Sequence, residues 1–294
     1  MGKPPLVSIV TPFLNAERFF ADTLASVLAQ TYTRWELLLV DDGSTDQSTG
    51  MAVEWARAHA ERVRYLEHDG HRNRGTSASR NLGIRHAEGE FVAFLDADDV
   101  WLPEHLADGV SLLERHPDSG LSYGPTEEWY GWTGRPVDRS RDHILGLGVT
   151  TDTPFAPPGP LTAFLRREIP TPCTCSVLVR RTLADEIGGF EPSFRGMYDD
   201  QAFYAKVCLT APVVASSVCT SRYRRHGSSL YSSAKTTGQA GADRLAYLHW
   251  LDRYLAGRGD RPREVRRALR QELRAARFPL IQRLIARVRG RPTA

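Results

Sequence analysis

Apolar runs and amphipathic segments alternate through the first 120 residues. Leu6-Val7-Ser8-Ile9-Val10 is short, apolar and β-branched, as a buried parallel strand requires, and Pro12 is expected to stop it. Asn15 is placed to cap a helix whose inward positions are Phe20, Leu24, Val27 and Leu28. Trp35 to Val40 reads as a second strand ending in Asp41-Asp42-Gly43-Ser44. Thr45 or Asp46 can then cap a helix reaching about His59. Val63 to Leu66 is a third strand, and a polar loop and a helix near Thr76 to Ala87 follow it. Phe91 to Leu95 is a fully apolar fourth strand closed by Asp96. Pro103 suits the first turn of a helix with Leu106, Val110 and Leu113 inward. This order predicts an α/β fold with an open, mostly parallel sheet and helices on both faces. Ligands of such sheets bind beyond the carboxyl ends of the strands. The polar clusters Thr11–Asn15, Asp41–Asp46, Asp69–Gly75 and Asp96–Asp99 all fall there.

Residues 125–172 break the pattern. They are rich in Pro, Gly and Trp and weakly periodic, and read as a long irregular excursion over the rim. Regular structure returns with the strand Ser176 to Val179. A helix ending at Gly188-Gly189 follows, then another starting near Tyr198-Asp199-Asp200. Residues 227–242 read as mobile. Leu245, Leu248, Leu251 and Leu255 mark a helix, and an Arg-rich helix broken at Pro279 comes last.

Composition adds three points. The 294 residues are 41% hydrophobic and 25% charged, ordinary globular values. No apolar run of about 18 residues occurs and the start lacks a signal-peptide pattern, so a cytoplasmic location is expected. Cys173, Cys175, Cys208 and Cys219 are too few and irregular for a disulfide scaffold. Cys173-x-Cys175 is too short for a zinc knuckle and has no second pair, so all four read as reduced thiols. The net charge of +3 hides an asymmetry. Residues 261–294 hold eleven Arg against Glu264 and Glu272, a surplus of nine, which leaves the rest at −6. Phe278, Leu280, Ile281, Leu284, Ile285 and Val288 give that tail an apolar side. It suits packing or a peripheral membrane contact at the inner face better than nucleic acid.

Several residues suit metal and nucleotide chemistry. The carboxylates of Asp96-Ala97-Asp98-Asp99, behind an apolar strand, offer the hard oxygens that Mg2+ or Mn2+ takes beside a diphosphate. Asp42 can accept from a base N–H or a ribose hydroxyl, or simply serve a turn. Arg72, Arg74 and Arg80 supply forked donors for diphosphate, although Arg80, inside a helix, can instead pair with a local carboxylate. Asp199-Asp200 opens a helix, as capping acids do. An adjacent pair also raises one pKa and supplies a general base. His226 reaches a metal or phosphate only if its loop folds over the rim.

At this point the chain resembles family 2 glycosyltransferases of the GT-A fold. The resemblance rests on Val7 to Asn15, Ser26 to Tyr32, Leu39 to Asp46, Ser79 to Ile84, Gly89 to Phe91, Phe94 to Asp99 and Leu102-Pro103. It thins over 126–170 and returns at Cys175–Arg181, Gly188 to Phe190 and Gly196–Lys206. It implies an inverting, metal-dependent transferase using a nucleotide-sugar, most commonly UDP-linked, and a glycan, lipid-linked or small-molecule acceptor. Residues 1–124 would form the donor half, 125–235 the acceptor and base half, and 236–294 a helical, Arg-rich extension. Thr11 and Phe13 would meet the nucleotide partly through backbone, with the Phe13 ring against the base. Asp42 would hold the base, Asp96 the ribose side, Asp98 the metal and Asp200 the acceptor proton, and His226 matches a closing-loop histidine. Asp199 stands where the family usually has Glu, and Phe13 where Tyr is common.

Other classes fit less well. A nucleotidyltransferase usually carries a Gly-rich basic loop after the first strand, and Thr11-Pro12-Phe13-Leu14-Asn15 has no Gly. A dinucleotide dehydrogenase and a P-loop NTPase lack their glycine signatures here. A catalytically inactive nucleotide- or carbohydrate-binding protein would not need both Asp98 and Asp200.

Overall fold

The computed structural model describes residues 3–229, 239–259 and 262–277. A seven-stranded sheet runs in the order β10-β6-β9-β4-β1-β2-β3. These strands are β1 (Val7–Phe13), β2 (Trp35–Asp41), β3 (Val63–Glu67), β4 (Phe91–Phe94), β6 (Leu121–Tyr123), β9 (Val177–Arg180) and β10 (Val213–Ala215). The four strands β4-β1-β2-β3 are parallel, whereas β9 runs antiparallel to both β4 and β6.

The central strands β1, β2 and β4 are buried at every position and mostly apolar because both faces are covered, and successive residues still point to opposite sides. Val7, Ile9, Leu37, Leu39, Phe91, Ala93 and Leu95 enter one core. It is shared with α1 (Phe20–Leu28), α2 (Ser48–Ala58) and α4 (His105–Arg115). Val10, Leu38, Val40, Val92 and Phe94 enter the other. That core is closed by α3 (Thr76–His86), α6 (Gly159–Arg166), α7 (Arg181–Glu186), α8 (Asp199–Cys208), α9 (Ala240–Gly257) and α10 (Arg263–Arg277). Each fully buried Leu, Val or Phe contributes about 1.5–3 kcal/mol. Helix α3 lies so close to β1 that a Cβ at Gly83 would come within 2.3 Å of the Val10 side chain.

Some expectations need correction. Strand β1 continues through Pro12, which faces Val40, to Phe13. Leu28 is 40% exposed at the end of α1, while Phe20, Leu24 and Val27 are buried. Asn15 does not cap α1. Its backbone is left-handed (φ 51°), and its Oδ1 accepts from Thr45 N and Asp46 N, which steadies the turn into α2. Asp46, one residue before the N-cap Gln47, accepts from Ser48 N at 2.9 Å. Residues 125–172 are more regular than their composition suggests. They contribute β7 (Thr126–Trp129), α5 (Pro136–Arg139), β8 (His143–Ile144) and α6. Strands of two to four residues are too short to reveal a period. β7 and β8 join β5 (Val100–Trp101) and β11 (Ser221–Arg224) in a second sheet, ordered β5-β11-β7-β8.

The sequence-drawn halves share one sheet, since β9 and β10 complete the sheet begun by β1–β4. In the C-terminal region α10 packs on α9 and α6, burying Val265, Ala268 and Leu269. Glu272 takes both Arg244 and Arg167 there. The described part of the Arg-rich tail therefore spends its apolar side on the protein itself. The apolar positions from Phe278 to Val288, the break at Pro279 and most of the stretch expected to be mobile lie outside the described residues. Among the described residues no helix is long and apolar enough to cross a membrane.

Candidate active site

Because β1, β2, β3 and β4 are parallel, their carboxyl ends deliver Phe13, Asp41, Glu67 and the 96–99 loop to one rim. Thr11 is fully buried, and its hydroxyl has no hydrogen-bond partner among the described residues. Phe13 is 3% exposed, its ring 4.8 Å from that of Phe20. These two side chains belong to the core, which leaves their backbone as what the rim offers.

The acids after β2 organise their own loop. Asp41 Oδ1 accepts from Gly43 N and Ser44 N, and its Oδ2 from Thr49 Oγ1 and Tyr65 OH. Gly43 has φ 86°, and a Cβ there would lie 2.8 Å from Asn73 N, so the turn demands glycine. Asp42, 4% exposed, accepts from Arg74 N at 2.7 Å and Gly75 N at 3.0 Å. That pair ties the 68–75 loop to the rim, where the Arg72 and Arg74 residues are exposed.

Arg80 is the hub of the site. It is buried within α3, and its two terminal nitrogens donate separately, to Asp96 Oδ1 and to Asp199 Oδ2, each at 2.6 Å. The Phe190 ring lies 5.0 Å below the guanidinium. Burial opposes its charge, but Asp96 and Asp199 outweigh burial and raise its pKa. Arg80 was expected to meet a diphosphate or a local carboxylate; instead it joins two acids distant in the chain. One guanidinium thus bridges the loop after β4 and the first turn of α8.

Asp199 and Asp200 diverge as a result. Asp199 is held by Arg80. Asp200, half-buried, accepts only from Gln201 N at 2.7 Å among the described contacts. Burial, and then the like charge of Asp199, push its carboxyl up to about 7, against the pull of Arg80. A carboxyl titrating near neutrality at the edge of an acidic rim is equipped to take up a proton.

On the other side the loop is gripped by β11. His226 Nε2 lies 2.9 Å from Asp98 Oδ2. Arg224 donates from Nε to the Asp98 carbonyl and from NH2 to Asp22, and its backbone N–H reaches Asp99 Oδ1. The Arg224 guanidinium also rests against Phe19 and Trp129. Arg224 carries no motif of its own, and its partners sit far back in the sequence, so only the fold discloses it. Asp98 is 31% exposed and Asp96 30%, whereas the His226 side chain is 7% exposed. Asp98 thus presents a partly open carboxylate beside an imidazole, while Asp96 turns one oxygen to Arg80. His226 also lines a cleft of about 530 Å3 with Arg18, Tyr130, Trp132, Arg141 and Arg225. None of that lining was singled out beforehand except His226.

The sequence itself matches a known family. Residues 8–188 match the model of Glycosyl transferase family 2, and the chain belongs to that family. Among curated relatives, the UDP-Glc:alpha-D-GlcNAc-diphosphoundecaprenol beta-1,3-glucosyltransferase WfgD of Escherichia coli is 37% identical over 122 residues, 42% of this chain and 46% of that protein. The matched stretches span less than half the length of the first such relatives. Among solved structures, S. aureus TarS 1–349 in complex with UDP-GlcNAc has a TM-score of 0.70 at 21% identity, covering 93% of this chain and 73% of that one. The mannosyltransferase PcManGT from Pyrobaculum calidifontis, in complex with GDP-Man and Mn2+, has a TM-score of 0.63 at 19% identity, covering 97% and 76%. These likenesses establish the GT-A fold.

Proposed function

We propose that this chain transfers a sugar, with inversion, from a nucleotide-sugar donor to an acceptor hydroxyl in glycan or glycoconjugate synthesis. The observation that carries this reading is the Arg80 bridge. It brings Asp96 and Asp199 together and leaves Asp200 titrating near neutrality beside them. A UDP-linked donor is favoured, since WfgD by its name uses UDP-Glc and TarS was solved with UDP-GlcNAc. The name of WfgD also makes a diphosphate-lipid-linked glycan a fitting acceptor.

Residues 1–124 serve the donor and 125–235 the acceptor, while the described part of 236–294 is helical and buttresses α6 and α8. The backbone at Thr11 and Phe13 meets the nucleotide. Asp42 fixes the 68–75 loop that borders the base, and Asp96 sits at the ribose side. A divalent ion held by Asp98 and His226, with Asp96 beside them, would supply positive charge to the departing diphosphate. Asp200 accepts the proton of the acceptor hydroxyl. That oxygen bonds to the anomeric carbon as the bond to the diphosphate oxygen breaks on the opposite face, which inverts the centre. Asp199 is a positioning residue: its charge, fixed by Arg80, keeps the carboxyl of Asp200 near neutrality. Replacing Asp200 with Asn separates an enzyme from an inactive binding protein. Transfer should collapse while donor affinity holds; a variant that still turns over normally would remove Asp200 from the mechanism.

A further inference from the structure

The Cys173-x-Cys175 pair, which the sequence alone leaves without a role, has a third partner in space. The two Sγ atoms are 3.3 Å apart. A carboxylate oxygen of Asp99 joins them, and all three ligand atoms lie within 4.8 Å of one another. Asp99 is the acid of the loop that the donor site does not use. It is fully buried, and its Oδ1 accepts from Arg224 N. Its Oδ2 is buried with no hydrogen-bond partner among the described residues. Leaving such an atom unsatisfied is costly, so it marks a place where a ligand would be welcome. Cys175 is buried, while Cys173 is half-buried and gives access.

The chemistry of the three donors is selective. Two sulfurs bound to a tetrahedral zinc at about 2.3 Å stand roughly 3.8 Å apart, so the observed pair needs to open by only a few tenths of an ångström. Thiolates favour zinc-like ions over Mg2+ and Mn2+, which prefer oxygen. The absence of a second Cys pair argued against a metal at the sequence level. Asp99, in the loop between β4 and β5, supplies the ligand that spacing cannot show.

We propose that Asp99, Cys173 and Cys175 form a site for one thiophilic divalent ion such as zinc(II), distinct from the ion position at Asp98. Water completes the coordination from the Cys173 side. Binding displaces the thiol protons, so it releases protons and tightens as pH rises. The occupant sits behind the 96–99 loop, on the residue that ties this loop to β11, and so contacts the donor side without sharing its ligands.

The test titrates the reduced, full-length protein with cobalt(II) and follows thiolate-to-cobalt charge-transfer absorption. One saturable equivalent is expected, displaced by zinc(II) and not by manganese(II). The band should survive Asp98→Ala and Cys219→Ser. It should vanish in Cys173→Ser and in Cys173→Ala, both checked to melt as the wild type does. Asp99→Asn should weaken binding at least tenfold, since even lost outer-shell partners of a metal site cost about 10–100-fold. Absence of the band in native wild type, with all four thiols titratable after unfolding, would overturn the proposal. So would a band that persists in both Cys173 variants.

Discussion

β2 and β4 lie on either side of β1, and both run apolar into paired acids at the same rim, yet those acids meet different partners. Asp41 and Asp42 give their oxygens to backbone N–H groups and hydroxyls of the neighbouring turn and loop. Asp96 and Asp98 meet a guanidinium and an imidazole from distant elements and stay about one-third exposed. Acids that satisfy local amides shape a loop. Acids held open by side chains from elsewhere are available for a ligand. The contrast repeats within one dipeptide, where Arg80 fixes Asp199 and leaves Asp200 near neutrality.

The largest effect should come from the group on the chemical side of this contrast. Asp200→Asn should lower kcat about 10²- to 10⁴-fold, the usual worth of a positioned general base, with donor Kd unchanged in calorimetry. Loss of donor affinity in step with kcat would place Asp200 among the binding groups. Arg80→Gln should be next. It strands Asp96 and Asp199, and thermal unfolding should register about 3 kcal/mol of destabilisation, the low end for a broken buried pair because Asp96 is 30% exposed. A melting temperature equal to wild type would mean that the bridge does not hold the two loops.

Asp41→Ala tests the structural side. Freeing the amides of Gly43 and Ser44 should cost about 1–3 kcal/mol of stability while leaving manganese affinity intact. An equal fall in metal affinity would erase the distinction drawn between the two strand ends. The smallest effect is a shift in pH dependence. Asp200 works as a base only when deprotonated, so transfer should rise with pH through about 7. Arg80 pulls that carboxyl down, and in Arg80→Gln the rise should move to higher pH. A profile flat across that range would argue for a different proton acceptor.

Much of this arrangement was legible in the chain. Runs such as Leu37 to Val40 are apolar at every position because helices cover both faces, and their lengths and order gave the parallel sheet. The acidic strand ends were visible for the same reason, since an acid directly after a buried strand stands out. Their division of labour was not. Nothing local distinguishes Asp42 from Asp98, because Gly75 and His226 reach them across long stretches of sequence. Asn15 misled because a capping residue is read against the helix that follows it, and this one bonds to the next turn in space. The antiparallel β9 was also hidden, since a four-residue apolar strand carries no mark of direction. The second sheet escaped notice because its strands pair residues such as Ser221 and Thr126 that no local pattern connects.

The most direct test of the account is calorimetric titration of UDP, GDP and dTDP with and without manganese, in wild type and in Asp98→Ala. The account predicts that wild type binds UDP in a manganese-dependent way and that the variant loses this dependence. Failure of every nucleotide to bind wild type with manganese present, or identical binding by the variant, would contradict it.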